Sequence, residues 1–281
     1  MTVTLGPLTL PVALLVTFAA IFLGSAVGNR VAASRGVKAE GALWLVIAGA
    51  VLAARAAFVA QYWSLYASEP WRVPDLRDGG LTPAAGLLAA LLIGGALAWR
   101  RAPQRTAIVT GVLAGVFVWL GGTGLAGVAG TVNPRQTLPA MTLADLDGRN
   151  VVLAAPAGKP LVVNIWASWC PPCRREMPVL SKAQTDSPDV HFVFVNQGES
   201  AATIRDYLKA EGLALRNVLR DPTGALAGQL GAPGLPMTLF FDANGVLVGK
   251  RMGELSPATL AEQLRALGAE GPSTTRKLQH P

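Results

Sequence analysis

The first 130 residues are almost continuously apolar, built from Leu, Ala, Val and Gly with charges gathered in short clusters, whereas residues 131–281 mix apolar and polar positions in short blocks. Four apolar runs, at 8–27, 41–62, 83–99 and 106–129, each approach the roughly 20 residues a helix needs to cross a hydrocarbon core. The pattern predicts an α-helical four-span membrane domain over 1–130. The fourth run carries GGTGLAGVAG, whose small residues permit close helix packing in lipid.

A linker at 131–136 leads into a region of different periodicity, 137–270. PLVVNIWA (160–167) and VHFVFVNQ (190–197) are short β-branched runs that predict buried strands, and CPPCRREMPVLSKAQ between them predicts a helix. AATIRDYLKAEG has helical spacing and a stop at Gly212. GLPMTLFFDANGVLVGKRMGEL holds two apolar runs joined by Asp-Ala-Asn-Gly, a hairpin signal, and SPATLAEQLRALG opens with Ser256 as N-cap and Pro257 in the first turn. These blocks predict an α/β domain. Lys250 and Arg251 read as the solvated end of a strand, and residues 271–281 as a disordered tail.

Charge adds a topology. Of the net +7, an excess of +5 lies in the first 130 residues, mostly beside the apolar runs, which points to a membrane-orientation signal and away from nucleic acid. Arg30, Arg35 and Lys38 follow the first run and Arg100, Arg101 and Arg105 the third, so these loops are expected in the cytoplasm. The opening MTVTLGPL has no basic residue, and Arg72 and Arg77 after the second run are diluted by three acids. Both termini are therefore expected outside. The uncharged opening and the later spans argue against a cleaved signal peptide, and the absence of a nearby cysteine against a lipoprotein anchor.

Arg55 is the one charge well inside a predicted span, close enough to its outer end to snorkel to the interface. Arg55 with Phe58 and Tyr62, then Pro70, then Asp78 to Leu81 (DGGL), resemble the N-terminal part of prolipoprotein diacylglyceryl transferase over residues 8–100. That family carries a catalytic His just after its GG pair, where this chain reads LTPAAG. The resemblance implies an anchor of related fold, not a working lipid transferase.

Cys170 and Cys173 are the only cysteines. A zinc site needs about four N or S ligands, and the chain adds only His191 and His280. A structural disulfide over so short a loop removes little chain entropy. Redox chemistry has a mechanism: Cys170 sits where strand gives way to helix, and the helix N-terminus favours its thiolate. Cys170 is thus expected to be the exposed attacking sulfur, with Cys173 one turn on to resolve the mixed disulfide.

WASWCPPCRREMP, VNQGES and GLPMTLFFDANG, in this order over roughly residues 135–270, resemble the TlpA/ResA-like branch of thioredoxin-fold thiol:disulfide oxidoreductases. The resemblance implies a cis peptide at Pro236, with Leu235 offering a strand edge to an extended partner chain. It gives Glu176 a proton-handling role, against the alternative of a surface pair with Arg174, and notes Asn164 where thioredoxin has a buried acid. Trp166 reads as a packing residue; Trp169, beside the nucleophile, is the better candidate to touch a partner. The implied protein is a dedicated reductant on the periplasmic face of a bacterial inner membrane, acting on exported cysteine-containing proteins such as apocytochrome c or metal-site cysteines. Its cofactor is the dithiol itself. With no cysteine in the membrane module, the bilayer anchors the chain and a separate membrane thiol reductase is the expected donor. Pro171-Pro172 leaves an oxidase or isomerase open, while the paired cysteines argue against a redoxin-type peroxidase.

Overall fold

The computed structural model describes residues 2–5, 8–67, 69–132, 137–156, 158–232 and 234–268. The expected tail and most of the linker lie outside the described residues. The chain divides into two compact units, Met1–Trp63 with Gly80–Pro134 and Ser64–Gly79 with Arg135–Pro281. The polar connection between the second and third apolar runs thus falls with the second unit.

The first unit opens with an antiparallel pair, β1 (Thr2–Leu5) and β2 (Leu8–Pro11), with Thr2 opposite Pro11. Helix α1 (Val12–Ser34) follows directly, so the first apolar helix starts four residues later than the run at 8–27 and continues past it. Thr alternating with Val or Leu on either side of Gly6-Pro7 suits a strand pair, and proline is tolerated where a helix begins. No breaker intervenes before Gly36, which takes a left-handed φ of 65°. Helices α2 (Glu40–Gln61), α4 (Pro83–Arg100) and α5 (Arg105–Val132) complete this unit, and the short α3 (Trp63–Tyr66) opens the connection that falls with the second. α1, α2 and α4, together with the segment that α5 occupies, are long and apolar enough to cross a membrane.

α1 packs on α5 almost backbone to backbone. A side chain on Gly24 would meet the Gly111 carbonyl oxygen at 2.8 Å, and one on Gly28 the Ala107 carbonyl oxygen at 3.0 Å. Small residues spaced by four on each helix, Ala20, Gly24 and Gly28 against Ala107, Gly111 and Gly115, make that approach possible. Arg55 is buried, and its Nη1 donates to the Gly80 carbonyl oxygen at 2.8 Å, in the chain that leads into α4.

The second unit contains β3 (Met141–Asp145), β4 (Asn150–Leu153), β5 (Leu161–Trp166), α6 (Pro171–Asp186), β6 (His191–Gln197), α7 (Ala201–Ala210), β7 (Val218–Asp221), α8 (Ala225–Gln229), β8 (Met237–Phe241), β9 (Leu247–Met252) and α9 (Pro257–Ala266). The strands form one sheet in the order β4-β3-β7-β6-β5-β8-β9. β5 and β7 run parallel to β6, while β8 is antiparallel to β5 and β9. Every residue of β5 is buried, as expected of a central strand covered on both faces. Its alternation divides the core: Val162 and Trp166 pack with Met177, Leu180 and Leu264, and Leu161, Val163 and Ile165 with Leu219, Leu226 and Leu239. This is a thioredoxin-like α/β fold.

Three features depart from the sequence reading. The hairpin of β3 and β4 precedes the expected first strand, and β7 with α8 lies between α7 and the β8–β9 hairpin. Lys250 is not a solvated strand end. Its Nζ donates to the carbonyl oxygens of Leu230 at 2.7 Å and Gly231 at 3.1 Å, covering the unpaired C-terminal end of α8, and partial burial lowers its pKa.

Candidate active site

β5 ends at Trp166, and Ala167, Ser168 and Trp169 carry the chain to Cys170, the N-cap of α6. Cys170 has extended backbone angles, φ −88° and ψ 108°, and its Sγ accepts from the Cys173 backbone N–H at 3.3 Å. Pro171 and Pro172 fill the first turn, where a missing N–H breaks no helical hydrogen bond. Cys170 and Cys173 form a disulfide with Cα atoms 5.3 Å apart.

Cys170 is not the exposed sulfur the sequence suggested: it is 3% exposed, against 0% for Cys173. In the oxidised pair both belong to the apolar cluster of Trp166, Ala167 and Met177, with Leu235 packed against it. Cys170 keeps what little access there is. Trp166 is fully buried, its ring 5.5 Å from that of Tyr207, whereas neighbouring Trp169 is 66% exposed. The Leu235–Pro236 bond is cis, and the Pro236 carbonyl oxygen accepts from Gly253 N–H at 3.0 Å as the chain enters β8.

Glu176 points inward one turn after Cys173 and is fully buried, so it makes no surface pair; Arg174 bonds Glu211 instead. Glu176 Oε1 accepts from Asn164 Nδ2 at 2.8 Å and Oε2 from Leu255 N–H at 3.0 Å. Asn164 Nδ2 also donates to Thr238 Oγ1 at 3.0 Å, across the β5–β8 register. Burial pushes the Glu176 carboxyl up to about 8; the two donors pull against that rise, and Glu254 nearby adds to it. At pH 7 the carboxyl is mostly protonated with an ionised minority, so it can give or take a proton near neutral pH.

Glu199, the acid in VNQGES, has a task that the sequence pattern alone does not assign. Its carboxylate accepts from Ser168 N–H at 2.7 Å, from the Ser168 hydroxyl, and from Asn196 Nδ2 at 2.7 Å. Glu199 thereby fixes the loop that presents Trp169 and Cys170. A signal existed in the acid just beyond a buried strand, but its acceptor role depends on a loop 31 residues earlier. Glu199→Ala is expected to destabilise the second unit by about 1–3 kcal/mol, because a part-buried N–H and amide lose their acceptor. Urea unfolding followed by tryptophan fluorescence measures it. Among the described residues no group of three or more His, Cys, Asp or Glu side chains is placed to hold a metal ion.

Paired cysteines at the head of a helix that follows a central strand define a redoxin-class site, and the Redoxin family profile matches residues 133–264. That match begins after α5, so residues 1–132 are no part of it. The thiol:disulfide interchange protein DsbE of Pseudomonas fluorescens biotype C is 33% identical over 132 residues, covering 47% of this chain and 73% of that protein. DsbE of Escherichia coli (strain K12) is 33% identical over 110 residues, covering 39% of this chain, and the chain spans 58% of its length. The thiol-disulfide oxidoreductase ResA of Bacillus subtilis (strain 168) is 27% identical over 169 residues, 58% of this chain and 94% of that protein. The chain belongs to the DsbE family of thiol:disulfide interchange proteins.

Proposed function

We propose that this protein is a membrane-anchored thiol:disulfide oxidoreductase that reduces disulfides of exported proteins through Cys170 and Cys173. The observation that carries the reading is the disulfide at the N-cap of α6, backed one turn later by a buried acid. In the reduced protein the Cys170 thiolate, favoured by the helix N-terminus, attacks one sulfur of a partner disulfide. That bond breaks, a Cys170–partner disulfide forms, and the displaced partner sulfur takes up a proton. Cys173 then loses its proton and attacks Cys170 Sγ, releasing the second partner thiol. Two electrons pass to the partner, and the protein is left with the Cys170–Cys173 disulfide.

Glu176 handles the Cys173 proton, taking it up through the ionised fraction of a carboxyl near 8; in the oxidised pair Cys173 is fully buried one turn before it. A carboxyl near 8 and a thiol whose ordinary value is about 8.5 exchange a proton with little bias. Trp169 and Leu235 are the partner contacts in this reading, with Pro236 holding the strand entry beside the pair. The four apolar helices serve as the anchor in the bacterial inner membrane, and the basic loops after the first and third put both termini and the redox domain on the periplasmic side. Exported cysteine-containing proteins, such as apocytochrome c or proteins with metal-site cysteines, are the partners in this reading, and a membrane thiol reductase supplies the electrons.

Acid-quench thiol trapping in growing cells tests the direction. A pair found mainly reduced in an oxidising compartment supports the reductase. A pair that stays oxidised when the donor pathway is intact points to the oxidase or isomerase reading.

A further inference from the structure

Asn164 holds a buried atom that its hydrogen bonds do not use. Its Nδ2 donates twice, to Glu176 and to Thr238, while its Oδ1 has no hydrogen-bond partner among the described residues. An ionised carboxylate only accepts, and both Glu176 oxygens are already supplied, one by Asn164 Nδ2 and one by Leu255 N–H. A protonated carboxyl carries an O–H that must donate, and neither of those N–H groups can accept it.

A half-turn of the Asn164 amide resolves the mismatch. The terminal torsion of asparagine is broad and two-fold, so its oxygen and nitrogen ends exchange places without moving the backbone. Turned, Oδ1 lies where Nδ2 was, between Glu176 and the Thr238 hydroxyl, and accepts from both. Each orientation makes two hydrogen bonds to the same neighbours and leaves the other end of the amide, Oδ1 or Nδ2, without one.

We propose that Asn164 turns its amide in step with the protonation of Glu176, donating to the carboxylate and accepting from the acid. The inference rests on the reading of Glu176 as a proton holder. Asn164 is then a positioning residue: it keeps Glu176 hydrogen-bonded before and after a proton moves. The groups facing Glu176 are Asn164 from β5, Thr238 from β8, Leu255 N–H ahead of α9, Cys173 one turn back on α6, and Glu254, which is paired with Arg175 at 2.7 Å. Of these, the Thr238 hydroxyl can also donate or accept, and it follows the amide by turning its O–H.

The test is solid-state NMR of the oxidised full-length protein in lipid bilayers, with ¹⁵N on asparagine side chains and ¹³C on glutamate carboxyls. The Glu176 carboxyl shift reports protonation, and the dipolar coupling from Asn164 Nδ2 to that carbon reports the amide's orientation. Asn196 Nδ2, bonded to Glu199 at 2.7 Å, supplies an internal reference. As pH falls through the Glu176 transition, the Asn164 coupling is expected to weaken several-fold with the same midpoint, while the reference stays constant. Glu176→Gln, neutral at every pH with an N–H₂ in place of the O–H, should hold the coupling weak throughout. It also assigns the signal if Asn164→Leu fails to fold. A coupling unchanged across the Glu176 transition overturns the amide turn and leaves the proton-holding reading intact. A Glu176 carboxyl that shows no transition near pH 8 overturns both.

Discussion

A Cys173→Ser variant is expected to stall with its partner attached. Cys170 can still open a disulfide, but with no second sulfur one turn along α6 the mixed disulfide has nothing to resolve it. Turnover in an insulin-disulfide reduction assay should fall by roughly a thousandfold, the scale on which removing one member of a covalent catalytic unit acts. A reductant-sensitive adduct should appear on non-reducing gels of cell extracts. Cys170→Ser should lose turnover equally and form no adduct. Near-normal turnover of Cys173→Ser, without an adduct, would remove the two-sulfur mechanism.

Replacing Glu176 should change how stability responds to pH. In the unfolded chain its carboxyl titrates near the ordinary 4.5, whereas in the folded protein burial pushes it up to about 8. Between these values the folded state keeps a proton that the unfolded state has lost, so this group's contribution is complete below about pH 4.5, declines as pH rises and is fully lost above pH 8. The full swing is roughly 5 kcal/mol at 1.36 kcal/mol per pH unit. Glu176→Gln should remove that slope and be the more stable form at pH 9 or so. Unfolding midpoints in urea, measured for both proteins on either side of pH 8, decide it. Parallel pH dependences would show that Glu176 ionises freely in the folded state.

The parts of this fold that were legible in the sequence are those whose signal is local. Each apolar run at or near the length of a bilayer corresponds to a helix, and β5, β6 and the β8–β9 hairpin carry dense apolar runs. β4 and β7 do not: NVVL is mostly exposed at the sheet edge, and VLRD carries an Arg and an Asp. Asp221 is legible only after folding, when its carboxylate receives Ala225 N–H at 3.0 Å and Leu226 N–H at 2.8 Å and starts α8. The cysteine pair announces itself through spacing and the helix that follows. Its burial does not, because the side chains that cover it come from distant segments, Leu235 among them. Glu199 and Lys250 are of the same kind: a charged residue on the surface of the sequence becomes a clamp once a loop or helix end folds back to it.

The near-complete burial of Cys170 in the disulfide form bears on traffic in the compartment as a whole. Exchange requires the attacking thiolate to approach along the S–S axis, and a residue only 3% exposed presents small free thiols with little target. The oxidised pair is in effect an insulated contact. On the proposed function, leakage of electrons to or from the small-molecule pool is then held down by shape, and exchange favours a protein whose docking exposes the sulfur.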